Sequence, residues 1–221
     1  MIIAASLIIA YLLGSIPFGL IIARAHHLDL RQQGSGNIGA TNVTRTLGKK
    51  WGGLCFALDV LKGTLPTLLF MLLAKGKFTQ DGMGQQTFLW VWLAVGFSTV
   101  LGHVFPIYAG FKGGKGVATS FGVGLGLWPY FTGCAIAALI TWALIVRTTR
   151  IVSLASILAA ILFPLYLIVV IALIPQWHFQ TLWPLLLIGL AIAITVIVRH
   201  KENIQRLRTG TENKTRGDSS G

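Results

Sequence analysis

The chain has 221 residues, of which 54% are apolar and only 11% charged, with a mean hydropathy of +0.75; an ordinary soluble domain carries roughly 25% charged residues. Its formal net charge is +12, from 18 Lys and Arg against 6 Asp and Glu, a balance that suits either the cytoplasmic loops of a membrane protein or an anionic ligand. A second globular domain would need a polar stretch of about 50 residues; none is present, and so little of the chain lies outside apolar runs that nucleic acid is excluded as a partner.

A helix needs about 20 mostly apolar residues to cross the hydrocarbon core. Residues 2–23 meet this, with Pro17 as a kink. No basic residue precedes the run, Arg24 follows it and no small-residue cleavage site is evident, so it is predicted as a retained first span rather than a signal peptide. Further spans are predicted at 54–73, 87–101, 152–174 and 182–198. The stretch 117–146 is too long for one span and contains Trp128-Pro129, which reads as a break.

Basic residues decide its path. Arg24, Arg31, Arg45, Lys49 and Lys50 follow the first span, Lys112 and Lys115 precede the long stretch, Arg147 and Arg150 follow it, and Arg199, Lys201, Arg206 and Arg208 follow the last span. If basic loops stay inside, 117–146 starts and finishes on the cytoplasmic side. It is then a hairpin of a short helix to about Leu127 and a return helix from about Tyr130. Only Lys75 and Lys77 are left for the outer side. The expected fold is an all-α polytopic membrane helix bundle of seven segments, N-terminus outside and C-terminus cytoplasmic. Residues 1–208 would form one domain, followed by a polar tail, 209–221, disordered at its end. The chain shows no internal repeat, which weighs against the transporter folds built from inverted repeats.

Three polar segments fall on the predicted inner face. In 33–48, glycines at 34, 36 and 39 let the backbone turn its N–H groups toward an anion. A short helix is expected from near Asn37 to Gly48, its N-terminus adding partial positive charge. Ser35 supplies a hydroxyl between two glycines and Arg45 a planar fork suited to phosphate oxygens. A flexible loop with a capping Asn is the plainer reading, but the interleaved Ser, Thr, Asn and Arg favour phosphate. In 103–116, Gly113-Gly114-Lys115-Gly116 directly precedes a helix start at Val117, with Lys112 adjacent. Lys115 is followed by Gly116 rather than Ser or Thr and the glycine spacing is wrong for a Walker A loop, so nucleotide hydrolysis is not supported. The third segment, 199–208, is expected to continue the last helix out of the membrane. His200 and Asn203 would share a helix face there, with Glu202 and Arg206 as an i,i+4 pair. A snorkelling basic collar explains this segment equally well.

Asp59 and Lys62 lie three apart inside the second span and are read as an ion pair near the cytoplasmic mouth, structural rather than catalytic. Ser153, by itself, reads as an N-cap. Cys55 and Cys134 sit in apolar runs and read as small core residues. The Asn-x-Thr triplets at Asn42 and Asn213 fall on the inner face and are attributed to chance. Paired-carboxylate hydrolysis, a His-x-x-x-x-Asp dyad and a Cys/His metal cluster are all missing, so no metal or cofactor is expected. An enzyme of this kind would work by positioning and electrostatics.

Taken together, the motifs resemble the bacterial family of membrane glycerol-3-phosphate acyltransferases that use acyl phosphate as donor. The resemblance is carried by Gly14-Ser-Ile-Pro-Phe-Gly19, the Gly-Ser-Gly-Asn segment through Lys50, Asp59-Val-Leu-Lys-Gly63, 103–119, Ser153-Leu-Ala-Ser156 and 199–212. It covers nearly the whole chain, with no departure at a motif position; the tail after Glu212 lies outside it. It implies a seven-helix bundle in the bacterial cytoplasmic membrane that makes 1-acyl-glycerol 3-phosphate and inorganic phosphate. By the same resemblance, Ser35, Arg45, Lys115, Ser153, His200 and Asn203 would be catalytic. Ser35, Arg45 and Lys115 would hold phosphate, Ser153 would complete the acyl-phosphate pocket, and His200 with Asn203 would orient glycerol 3-phosphate. Gly36, Asn37, Thr41, Asn42, Lys112, Gly113, Gly114 and Gly116 would bind substrate, with Asp59, Lys62 and Glu212 as support. The implied partners are acyl phosphate, glycerol 3-phosphate and membrane lipid, with no obligate protein partner. A transporter of phosphate esters and a lipid-binding membrane scaffold remain the competing classes.

Overall fold

The structure, a computed structural model, describes residues 2–80 and 84–215. The described residues form helices and loops, with no strand among them, and divide into two compact units, Met1–Thr132 and Gly133–Gly221.

The first unit opens with α1 (Ile2–Gly14) and α2 (Phe18–Ala25). The kink expected at Pro17 is a full break, because proline has no N–H to donate and its ring pushes the preceding residue out of the helical region. The carbonyl of Ile16, at the break, accepts hydrogen bonds from Lys62 Nζ at 2.8 Å and from the Phe18 N–H at 3.1 Å. A short turn, Leu30–Gln32, leads into α3 (Ala40–Leu47). This helix starts three residues later than expected from near Asn37. The Asn37 side chain instead accepts the Gly39 N–H at 3.1 Å, holding the chain in an Asx turn. Gly48, at φ +91°, ends α3 and turns the chain at once into α4 (Lys49–Gln80), which outruns the expected 54–73 span at both ends. α5 (Gln85–Val104), a turn at Ile107–Ala109 and α6 (Val117–Gly126) complete the unit.

Between helices in lipid there is little hydrophobic gain, so small residues that admit close backbone approach carry the packing. Side chains added at Gly63, Gly122 or Gly126 would strike the facing helix at Thr119 O, Val60 O or Thr67. α4 and α6 thus touch backbone to backbone, and Thr64 Oγ1 donates to Gly122 O at 2.9 Å. α1 and α5 meet the same way, through Gly14 against Thr99 and Gly102 against Tyr11.

The second unit holds α7 (Thr132–Thr149) after its first residue, α8 (Val152–Leu173), α9 (Phe179–Arg199) and α10 (Lys201–Arg208). α6 ends and α7 begins on either side of Trp128-Pro129, where the break was expected. Trp142 Nε1 donates to Ser156 Oγ at 3.1 Å, and Thr141 Oγ1 lies 2.7 Å from the Tyr166 hydroxyl, tying α7 to α8. The last helix does not run on through 208. It breaks at His200 (φ −98°, ψ 11°), and α10 is a separate element. Of the tail, Thr215 donates its N–H to Arg150 O at 2.8 Å; its end, 216–221, expected to be disordered, lies outside the described residues.

Among the described residues, six stretches are long and apolar enough to cross a membrane: Ile2–Ala25, Lys49–Gly76, Gln85–Ala109, Thr132–Thr149, Val152–Leu173 and Phe179–Arg199. Val117–Gly126 is apolar but short. The chain is therefore a multi-pass, all-helical membrane protein. Cys55 and Cys134 are both buried, as expected of core residues.

Candidate functional site

In the first unit, the loop before α3 is folded around Asn42. That side chain is buried; its Oδ1 accepts the Ser35 N–H at 2.9 Å, and its Nδ2 donates to Leu30 O at 3.2 Å and Gln33 O at 3.0 Å. With its amide committed to backbone, Asn42 shapes the loop. Gly34 and Gly36 take φ +58° and +69°, which a residue with a Cβ adopts only under strain. Ser35 sits exposed between them. Arg45, one turn after Asn42 on α3, lays its stem over Gly34, so that a side chain there would press on both Asn42 Oδ1 and Arg45 Cδ. Ser35, Asn42 and Arg45 are thus gathered at one loop, and Thr41 is exposed in the first turn of α3.

The second glycine loop lies against the end of α5. Gly114 donates its N–H to His103 O at 3.1 Å, and Gly116, at φ +83°, caps α6. Lys115 is half-buried beside it and Lys112 exposed. Arg31 joins the two loops, its Nη2 donating to Ala109 O at 2.7 Å and to Lys112 O at 3.2 Å. Beneath them, Lys62 Nζ is 2.8 Å from Asp59 Oδ1, the ion pair expected from sequence, and His103 Nδ1 lies 3.6 Å from that same oxygen. All three side chains are buried.

In the second unit, His200 and Asn203 are buried around the α9–α10 break. His200 Nδ1 lies 2.7 Å from Val196 O. A carbonyl can only accept, so Nδ1 carries the proton, and in the neutral ring Nε2 holds the lone pair. Glu212 reaches back from the tail, accepting from Asn203 Nδ2 and from Arg206 Nε, both at 2.8 Å. This corrects the expected Glu202–Arg206 pair: among the described residues, the carboxylate paired with Arg206 is that of Glu212. Burial opposes the charge on Glu212. Hydrogen bonding from Asn203 and Arg206, the nearby Ser153 hydroxyl and the Arg206 charge together outweigh burial and hold the carboxyl below the usual glutamate range. Ser153 is not the N-cap, a position that falls to Ile151. Its hydroxyl is buried without a bond of regular geometry, near enough to Glu212 to favour that charge.

Two residues with work in the site escaped sequence reading. Arg31 counted only as an orientation charge, and nothing local signals that its guanidinium binds carbonyls some eighty residues away. His103 headed a quoted motif without a role.

The family model for glycerol-3-phosphate acyltransferase matches residues 4–210. A glycerol-3-phosphate acyltransferase of Geobacter sulfurreducens is 47% identical over 208 residues, covering 93% of this chain and 94% of its own. One from Aquifex aeolicus is 45% identical over 209 residues, covering 94% and 96%. Two crystal structures of PlsY, an integral membrane glycerol 3-phosphate acyltransferase, are similar throughout. The glycerol 3-phosphate form has TM-score 0.81 at 42% identity and the lysophosphatidic acid form 0.79 at 41%, each covering 98% of this chain and 96% of its own. With its glycine loops, basic side chains and membrane helices spanned by that match, the chain belongs to the glycerol-3-phosphate acyltransferase family.

Proposed function

We propose that this protein transfers a fatty acyl group from acyl phosphate to glycerol 3-phosphate, giving 1-acyl-glycerol 3-phosphate and inorganic phosphate, an early step of phospholipid synthesis. The observation that carries this reading is the pair of glycine loops joined by Arg31. One presents Ser35 and Arg45 and the other Lys115 at the start of a helix, donors suited to phosphate in a membrane protein. The PlsY forms with glycerol 3-phosphate and with lysophosphatidic acid support it, being an acceptor and a product of this reaction on a similar chain.

The roles follow from the chemistry. Ser35, Arg45 and Lys115 bind phosphate oxygens, and Ser153 serves the acyl-phosphate donor. Gly36, Asn37, Thr41 and Lys112 line the phosphate-bearing loops. The loop of Gly113, Gly114 and Gly116 shapes the acceptor's phosphate site, and His200 with Asn203 orients glycerol 3-phosphate. The glycerol hydroxyl oxygen attacks the acyl carbon, the bond from that carbon to the phosphate oxygen breaks, and the departing phosphate takes the hydroxyl proton. His200 Nε2 is the competing base. An acyl phosphate is a mixed anhydride with a good leaving group, so the reaction calls for no cofactor or metal and for no obligate protein partner. Residues 1–208 act as one acyltransferase domain, and Glu212 in the tail supports it.

On this reading the chain crosses a bacterial inner membrane in seven segments, counting Val117–Gly126, with its basic loops in the cytoplasm as the preference of Lys and Arg for that side favours. A cysteine replacing Lys50 should resist a membrane-impermeant maleimide in intact cells, while one replacing Gln86 should react, both in a Cys55→Ala, Cys134→Ala background. Labelling at position 50 with none at 86 reverses the orientation.

Labelled glycerol 3-phosphate offered to the purified protein tests the donor. Lipid-extractable label should accumulate with acyl phosphate and not with acyl-coenzyme A, which lacks the phosphate that Ser35, Arg45 and Lys115 would hold. Equal turnover with the thioester overturns the donor assignment.

A further inference from the structure

We propose that His103 is a positioning residue for the glycine loop at 113–116, fixing the backbone path of that loop and through it the placement of the acceptor's phosphate. The inference rests on the reading above, in which this loop serves glycerol 3-phosphate. From sequence, the missing side chain of Gly114 leaves room for a phosphate. The structure gives a different reason. A Cβ built on Gly114 falls inside van der Waals contact of His103 Nε2 and its neighbouring ring carbons. A Cβ on Gly113 strikes the carbonyls of His103 and Val104 and the ring of Pro106. Both glycines are therefore small because the loop lies flat on the last turn of α5, and the Gly114 N–H is bonded to His103 O at 3.1 Å.

The imidazole that the loop rests on is itself held from behind. His103 Nδ1 lies 3.6 Å from Asp59 Oδ1 on α4, and that oxygen is 2.8 Å from Lys62 Nζ. Lys62 in turn donates to Ile16 O, at the break in the first span. A buried run of groups thus extends from that break through Lys62, Asp59 and His103 to Gly114. Buried ion pairs add little net stability compared with apolar packing, and fixing a geometry is one use for which they are kept. A displacement of about 1 Å in a substrate-holding segment is enough to cost a large factor in rate or binding. His103 acts through the loop and does not itself touch the anion.

A double-mutant cycle reads this directly. The four proteins are wild type, Gly114→Ala, His103→Asn and the double variant, each purified in detergent with its thermal midpoint measured. Asparagine keeps a polar group near Nδ1 for Asp59 and removes the Nε2 edge. Gly114→Ala should raise KM for glycerol 3-phosphate about tenfold with little change in kcat, and His103→Asn a few-fold. In the double variant the alanine should then cost less than about threefold, because the ring it struck is gone. If the single variant is not recovered folded, recovery of the double variant carries the same answer. Losses that simply multiply in folded proteins, or a double variant as unfoldable as Gly114→Ala, overturn the proposal. Coupling that shows only in KM for acyl phosphate upholds the positioning role and overturns the assignment of this loop to the acceptor.

Discussion

Arg45→Lys is expected to lose most acyltransferase activity while the protein stays folded. Arg45 is exposed at the end of α3 with its stem across Gly34, so little packing depends on the guanidinium. What lysine cannot reproduce is the planar fork that grips two phosphate oxygens at once. A hydrogen bond to a charged group contributes about 1.5–3 kcal/mol, and if that contact is made only in the transition state the loss is roughly tenfold to a hundredfold in rate. Steady-state kinetics on the purified variant, with its thermal midpoint as a folding control, checks this. Near wild-type turnover would reduce Arg45 to a topology signal.

The second large effect is expected at Glu212. Its carboxylate accepts from both Asn203 Nδ2 and Arg206 Nε. Alanine removes the Glu212 acceptor from both donors, and a hydrogen bond to a charged group contributes about 1.5–3 kcal/mol. Asn203 would also lose the contact that fixes its amide. Glu212→Ala should therefore fall well below wild type in both thermal midpoint and activity, and Glu212→Gln, which keeps one acceptor oxygen, should lie between. The pH dependence has a definite sign. The folded-state carboxyl is held below the usual glutamate value of about 4.3, so its contribution to stability is complete above that value and is lost as pH falls through the folded value. The gap in midpoint between wild type and Glu212→Gln should be widest near neutral pH and close in acid. A gap that widens on acidification would mean the carboxyl is not held ionised by these partners.

How much of this could be read in advance depended on the range of the interaction. The spans were legible because a bilayer demands long apolar runs and punishes charge within them. The Asp59–Lys62 pair was legible because its members stand one helical turn apart. The break at Trp128-Pro129 was likewise local. Where the structure adds what the sequence did not show, a distant partner decided. Asn42, read as a substrate-binding residue of a polar loop, also has its amide bonded to the backbone of Leu30, Gln33 and Ser35, which fixes the loop's path. Arg206 had a plausible carboxylate in Glu202, yet α10 starts afresh after His200 and the tail delivers Glu212 instead. The glycines at 113 and 114 read as part of a substrate loop, and the structure adds a packing reason for them: the backbone of His103 and Val104 with Pro106 fills the place of a side chain at 113, and the His103 ring that at 114.

The proposed reaction passes the acyl group from acyl phosphate directly to glycerol 3-phosphate. The most direct measurement is inorganic phosphate release by the purified protein given acyl phosphate, with and without glycerol 3-phosphate, alongside the yield of 1-acyl-glycerol 3-phosphate. One phosphate should be released per product formed, with no release and no acyl-protein adduct without the acceptor. Movement of glycerol 3-phosphate across proteoliposomes with no phosphate released would contradict it, identifying a transporter in place of an enzyme.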